Sequence, residues 1–341
     1  MLSIVIPVFN EAQSLELLYG ELVSIAEEHG YDLDVLFVDD GSSDDSWQVI
    51  ARLAADDPRV RGIRFRRNFG KAAALSAGFQ SVRGDVVMTL DADLQDDPRE
   101  IPRFLAELED SRPRAGSAEH RRLDVVSGWK QVRHDPWHKV WPSRVFNWMV
   151  STITGVHLHD HNCGMKCYRR EVIGEVRLYG EMHRFVPVLA AARGFRVGEI
   201  PIQHRARRFG HSKYGVRRFT KGFLDLLTVK FLTSFGHRPQ HLLGTVGLIF
   251  ITLGGFELLY LTLYWVYRTM QGIDPKLHQS PAVIYSVGLL LLGAQIFSIG
   301  FIAELITAFQ GRAADTYSIA EQTPPSVVHR STTTDQPATH V

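Results

Sequence analysis

Two apolar runs near the C-terminus constrain this chain more than any other feature. Leu242 to Tyr267 carries a single charge, Glu257, and Pro281 to Phe309 carries a single charge, Glu304. As helices, both are long enough to cross about 30 Å of hydrocarbon. The short polar stretch between them, Arg268 to Ser280, makes a hairpin whose two ends emerge on one side of a membrane. Lys230 and Arg238 precede the first run and Arg312 follows the second, against Arg268 and Lys276 in between. The positive-inside rule then places the preceding domain and the tail in the cytoplasm, at an inner membrane. Carboxylates inside spans face protein rather than lipid, which fits helix–helix packing, a homo-oligomer or a role in the path of the lipid.

Ahead of the hairpin, strand-like and helix-like patterns alternate. Ser3 to Pro7, Asp34 to Val38, Arg61 to Phe65, Val86 to Leu90, Asp124 to Gly128 and Phe195 to Ile202 are short β-rich runs. Between the first two, Leu15, Leu18, Leu22 and Ile25 fall at helical spacing, with Asn10 placed to cap that helix. Further helices are expected over Trp47 to Ala54, over Ala72 to Ser81 and from Pro98 onward. This order predicts an α/β fold with a mostly parallel, doubly wound sheet. Such sheets bind ligands beyond the carboxyl ends of their strands.

Three of those ends carry polar groups. Pro7 leads into Asn10 and Glu11, the second strand runs into Asp39 and Asp40, and the fourth runs into Asp91 and Asp93. Two hard oxygen ligands one residue apart suit Mg²⁺ or Mn²⁺, though an Asp-x-Asp is also an ordinary acidic turn before a helix. Arg66 to Lys71, with Gly70, opens the next helix and reads as an anion site or a surface turn. Their concentration on one sheet edge argues for a nucleotide site better than any one of them.

Other segments leave choices open. His157, His159 and His161 alternate as on a strand, where they line a polar cleft or hold a transition metal. Asp110 to Leu123 is an Arg-rich, Pro- and Gly-containing surface loop. His204 to Tyr214 packs Arg and Lys between Gly and Ser, suiting nucleic acid, anionic lipid headgroups or a phosphate substrate. Val216, Phe219, Phe223, Leu226 and Leu227, with Arg217, Arg218 and Lys221 between them, form a basic amphipathic helix fit for a membrane surface, which favours lipid. The formal charge of the 341-residue chain is only +1, so no nucleic-acid partner is implied. Two cysteines make neither a disulfide framework nor a four-thiolate zinc site. The N-terminus opens on an apolar strand without a basic flank or cleavage pattern, unlike a signal peptide.

Taken together, Pro7-Val8-Phe9-Asn10-Glu11, Asp39-Asp40-Gly41-Ser42, Arg67-Asn68-Phe69-Gly70, Asp91 through Pro98, Asp160 through Gly164, and His204-Arg205 through Tyr214 resemble family 2 glycosyltransferases with the GT-A fold. The resemblance is to the branch that charges polyprenyl phosphate with a sugar, and the C-terminal two-helix anchor matches its bacterial members. The Gln-x-x-Arg-Trp motif of processive polysaccharide synthases is absent. It implies a catalytic domain over 1–214, juxtamembrane helices over 215–238, an anchor over 239–310 and a disordered tail over 311–341. It also implies transfer of a hexose, from UDP-glucose or GDP-mannose, to polyprenyl phosphate with inversion. Asp91, Asp93 and Gln95 are the implied metal and diphosphate set, and Asp39 is the base-binding carboxylate. Pro7, Asn10, Glu11, Asn68 and Lys71 complete the donor site, and Asp160 orients sugar or acceptor. Arg144, Arg205, Ser212 and Lys213 are the candidates for the acceptor phosphate, and Lys130 stands where some members have an acceptor-binding Arg. The rival readings are a family 2 enzyme with a glycan or protein acceptor, and a membrane-tethered nucleotide-sugar sensor without turnover.

Overall fold

The computed structural model describes residues 1–110, 122–131, 137–176, 178, 182–205, 217–235, 238–273, 276 and 280–310. Most of the Arg-rich loop (111–121), Ser212 and Lys213 of the basic loop, and the tail 311–341 lie outside them.

Seven strands form one sheet in the order β3-β2-β1-β4-β6-β5-β7. β1 (Leu2–Val8), β2 (Leu33–Asp39), β3 (Val60–Arg64) and β4 (Val86–Thr89) run parallel. β1 and β2 are buried nearly throughout, as expected of central strands covered on both faces. α1 (Ala12–His29), α2 (Ser46–Asp56) and α4 (Ile101–Glu109) cover one face, where Leu15, Leu18, Leu22, Ile50 and Phe104 pack on Ile4, Ile6, Phe37 and Met88. α3 (Lys71–Ser81), α6 (Arg170–Glu175) and α7 (Val186–Ala192) cover the other, through Ala74, Leu75, Val172 and Val186 against Val5, Leu36 and Val87. The sheet is therefore doubly wound, as the sequence pattern predicts.

One strand departs from the parallel run. β6 (Lys166–Arg169) lies between β4 and β5 (Val125–Lys130) and is antiparallel to both, while β7 (Val197–Ile202) pairs parallel with β5. The consequence is positional. The start of β6, Lys166, sits beside Thr89 at the end of β4. The first residue of β6 thus joins the same sheet edge as the carboxyl ends of its neighbours.

α5 (Trp137–Thr154) and α8 (Arg217–Phe235) pack together over the 3₁₀ turn Met182–Phe185, with Phe146, Val150, Phe185, Leu226 and Val229 in a third apolar cluster. Leu226 thus faces the domain, whereas Phe223, Leu224 and Leu227 stay exposed. The helix is apolar on two sides rather than one, with its outer side free for lipid.

α9 (Pro239–Met270) and α10 (Pro281–Gln310) are the two long apolar helices. They approach closely through glycine. A Cβ built on Gly247 would lie 2.7 Å from the Gly293 carbonyl oxygen, and one on Gly254 would lie 2.7 Å from that of Ser286. Small residues at such crossings let van der Waals contact do what hydrophobic burial cannot do in lipid. Glu304 accepts the Gln240 N–H at 3.1 Å, so one of the two intramembrane carboxylates caps the neighbouring helix.

Candidate active site

The loops after β1 and β2 are stitched together by side chains. Asp39 Oδ1 accepts from Ser42 N (2.9 Å), Ser42 Oγ accepts from Asn10 N (2.9 Å), and Asn10 Oδ1 accepts from Ser43 N (2.8 Å). Asn10 does not cap α1. Its φ is +58°, a left-handed conformation that Asn tolerates better than most residues, and its amide serves the neighbouring loop. The N–H groups at the start of α1 find partners across the loop instead. Glu11 N donates to Ser46 Oγ (3.0 Å) and Ala12 N to Asp44 Oδ2 (3.2 Å).

Asp40 fixes a third loop. Its carboxylate accepts from Phe69 N (2.7 Å) and Gly70 N (2.9 Å), holding the basic turn at the head of α3. Burial raises its pKa, and those two N–H groups offset only part of that cost. Gly41 lies where the chain needs glycine: φ is +71°, and a Cβ there would press on the Arg67 backbone. The result is a cleft lined by Pro7, Phe9, Glu11, Asp40, Asn68, Lys71, Asp91 and Asp93. The structure brings Pro7, Glu11, Asn68 and Lys71 of the expected donor set to this cleft. Asp39 lies behind it, wholly buried. Its Oδ1 is occupied, while Oδ2 makes no hydrogen bond and has Arg64 Nε 3.5 Å away. Asp39 thus does not line the cleft itself; its carboxylate anchors the loop after β2 through Ser42 N.

At the end of β4, Asp91 is ion-paired with Lys71. Burial alone raises Asp91, but the ammonium groups of Lys71, Lys130 and Lys166 outweigh it and bring the carboxyl down to about 2. Asp93 Oδ1 accepts from Gln95 N (3.2 Å). Ionised carboxylates of this kind are hard ligands that fit Mg²⁺ or Mn²⁺. Among the described residues no cluster of three His, Cys, Asp or Glu side chains forms. An ion held by Asp91 and Asp93 would therefore complete its shell with water and diphosphate oxygens.

The chain after the motif is tied to the end of β7. Arg205 N donates to the Gln95 carbonyl (2.9 Å), and Asp96 bridges His204. The expected acceptor cations are engaged here. Arg205 donates to both oxygens of Glu21 (3.0 and 2.7 Å) and to Asp97 (2.6 Å). Lys130, at the end of β5, pairs with buried Asp96 at 2.8 Å. Burial lowers the Lys130 pKa, but the Asp96 carboxylate more than reverses this and holds it well above the usual lysine value. Arg144 is exposed on α5.

His157, His159 and His161 sit in a loop, not on a strand. α5 shapes that loop: Asn147 Nδ2 donates to His159 O (2.8 Å) and Ser151 Oγ to Leu158 O (3.2 Å). His159 stacks on Trp129 and pairs with Glu199. His161 is wholly buried, 3.2 Å from Ser151 Oγ, and the three rings do not converge on a metal. Asp160, 1% exposed, accepts from Asn162 N at 3.0 Å.

His161 gives a pH prediction. Burial, with the Lys166 charge, lowers its pKa to about 3. The unfolded chain protonates near 6.5, so stability is full above that value and falls as pH drops toward 3, by about 2 kcal/mol at pH 5. Thermal unfolding in detergent from pH 7 to 5 should show this slope. His161→Gln should reduce it, leaving the part that buried His183 contributes, and an unchanged slope would refute the assignment.

Pattern reading missed Lys166. It is 4% exposed, donates to the Cys163 carbonyl, and feels the charges of Asp91 and Asp160. His183, whose pKa burial depresses, feels Lys71, Arg184, Lys166 and Asp91. The one sequence signal was a Lys two residues beyond a quoted motif, ahead of Cys167 and Tyr168.

Residues 3–177, just over half of the chain, match the family described as glycosyl transferase family 2. A dodecaprenyl-phosphate galacturonate synthase of Rhizobium johnstonii is 36% identical over 327 residues, covering 94% of this chain and 92% of that protein. Crystal structures of glucosyl-3-phosphoglycerate synthase from Mycobacterium tuberculosis share the fold. The complex with Mn²⁺, UDP and phosphoglyceric acid has a TM-score of 0.51 at 15% identity, over 68% of this chain and 78% of that one. The complex with Mn²⁺ and UDP-glucose gives 0.50 at 16%, over the same shares. The family match spans the strands that present Asp39, Asp91 and Asp93, and the Rhizobium alignment is too long to leave out the apolar hairpin, so this chain is a glycosyltransferase and belongs to glycosyl transferase family 2.

Proposed function

We propose that the protein transfers galacturonate from a nucleoside diphosphate donor to a polyprenyl phosphate at the cytoplasmic face of the membrane. The observation that carries this reading is the union, in one chain, of the Asp91–Asp93 cleft with an apolar hairpin, in a sequence 36% identical to a dodecaprenyl-phosphate galacturonate synthase. That relative favours galacturonate over the glucose or mannose of the sequence reading.

The acceptor is a phosphate monoester with a second pKa of about 6, largely ionised at neutral pH. Its oxygen attacks the anomeric carbon in line, the bond from that carbon to the diphosphate oxygen breaks, and the nucleoside diphosphate leaves. No strong general base is needed, so the protein's work is positioning. The stitched loops, anchored by Asp39, hold the nucleoside. Lys71 and the head of α3 face the diphosphate. Asp91 and Asp93, with Gln95 beside them, would hold a divalent ion, which would supply neutralisation of the charge on the leaving group. Asp160 orients sugar or acceptor. Arg144 on α5, with Ser212 and Lys213, meets the acceptor phosphate as it rises along α8. Arg205, held by Glu21 and Asp97, braces that approach by tying the end of β7 to the metal segment.

The test is a donor panel of UDP-galacturonate, UDP-glucose and GDP-mannose with a short polyprenyl phosphate and purified full-length protein. Product from the first, chloroform-extractable and dependent on the lipid, is expected. Product from a glucan or protein acceptor without lipid, or nucleotide binding without turnover, would overturn the acceptor assignment.

A further inference from the structure

The sheet order lays out the donor. The nucleoside belongs over the loops after β1 and β2, and the diphosphate over Asp91 and Asp93 beyond β4. The next strand outward on that edge is β6, so the sugar falls there. The residue at that point is Lys166, in register with Thr89, two positions before Asp91. Gly164, just ahead of it, abuts Asp91 so closely that a Cβ would lie 2.5 Å from the carboxylate oxygen.

A buried ammonium is costly unless something repays its lost hydration. Lys166 is 4% exposed and donates to a neutral carbonyl, that of Cys163. Its two nearby carboxylates are otherwise engaged: Asp91 is paired with Lys71, and Asp160 holds the Asn162 N–H. His183 lies close to Lys166, Lys71 and Asp91, and Arg184, 8% exposed, lies next to it. The cationic side chains of this group, Lys166 and Arg184, thus lie away from the nucleoside loops, while buried His183 beside them is held neutral. A neutral hexose has no use for them at its C6 hydroxymethyl. A uronate, which carries a carboxylate at C6, does.

We propose that Lys166 is the specificity-determining residue for the sugar, binding the C6 carboxylate of a uronate donor on the β6 side of Asp91. The inference rests on the galacturonate reading above, and the experiment separates the two. UDP-galacturonate and UDP-galactose differ only at C6. Wild-type protein and Lys166→Met are compared on both, with kcat/KM as the readout. Wild type should prefer the uronate. Lys166→Met should lose about 10- to 100-fold on the uronate, the worth of one charged hydrogen bond, and less than about 3-fold on galactose. Affinity for UDP alone should stay unchanged, which reports an intact nucleotide site. Equal losses on both donors, or an unchanged ratio, would overturn the role of Lys166. A wild-type preference for galactose would instead sink the galacturonate reading itself. Should the Met variant fail to fold, wild type with the C6 methyl ester of UDP-galacturonate serves. Loss of charge on the sugar should cost the same factor, and equal use of ester and acid would refute a cationic carboxylate site.

Discussion

Asp91→Asn is expected to reduce transfer by about 10³-fold, equivalent to roughly 4 kcal/mol of transition-state stabilisation. The substitution keeps the shape of the side chain and removes its charge. Asp91 sits at a sheet edge where Lys71 pairs with it and Lys130 and Lys166 lie within electrostatic reach. Loss of the carboxylate therefore does two things at once. It deletes one of two hard ligands for a divalent ion, and it leaves the ammonium groups of Lys71 and Lys166 without the carboxylate charge they share. Asp93→Asn deletes the other ligand, so its activity loss should be similar. Calorimetry with Mn²⁺ separates ligand loss from misfolding. Wild type should bind the ion weakly alone and more tightly with UDP present, because two protein carboxylates are an incomplete shell. Both variants should lose the UDP-dependent part while keeping a cooperative thermal transition. Turnover near wild type in chelator-treated buffer, from either variant, would end the metal assignment.

How much of this was legible in the sequence depends on the strength of each local signal. β1, β2 and β4 announce themselves as short apolar runs, and each leads directly into the polar residues that line the cleft. The hairpin needs only length and the absence of charge. β6 was different. Lys-Cys-Tyr-Arg has no period, and its antiparallel course follows from what lies on either side of it, not from its own residues. That course is what carries Lys166 to the catalytic edge. The histidines misled because alternation imitates a strand, whereas the loop is held by side chains of α5 and by Glu199, remote in sequence. The basic run around Arg205 suggests a phosphate partner, and nothing in it announces the ion pairs Arg205 makes within the fold. Its partners Glu21 and Asp97 are 184 and 108 residues away, beyond any local pattern. Asn10 matched a capping signal that its left-handed backbone redirects.

Gly164→Ala is expected to lower kcat by about 100-fold with little change in global stability, the loss typical of a displacement near 1 Å at a reacting centre. The reason is steric and local. An added Cβ would lie 2.5, 2.6 and 2.8 Å from Oδ2, Cγ and Oδ1 of Asp91. Real Cβ atoms do not approach so closely, so something must move. The backbone cannot move easily: the Gly164 carbonyl accepts from buried Thr89 Oγ1 at 2.7 Å, and β6 begins two residues later. The Asp91 carboxylate is the softer party. It can swing toward Lys71, giving up its alignment with Asp93. The fold keeps its core and the site loses its geometry. UDP-dependent Mn²⁺ binding should weaken in parallel with kcat, while the thermal midpoint shifts by only a few degrees. Asp91→Glu in the Gly164→Ala background should not restore activity, because a longer side chain meets the same methyl group. If Gly164→Ala turned over normally, the carboxylate would have to tolerate displacement, and Asp91 could not be holding a ligand in fixed geometry.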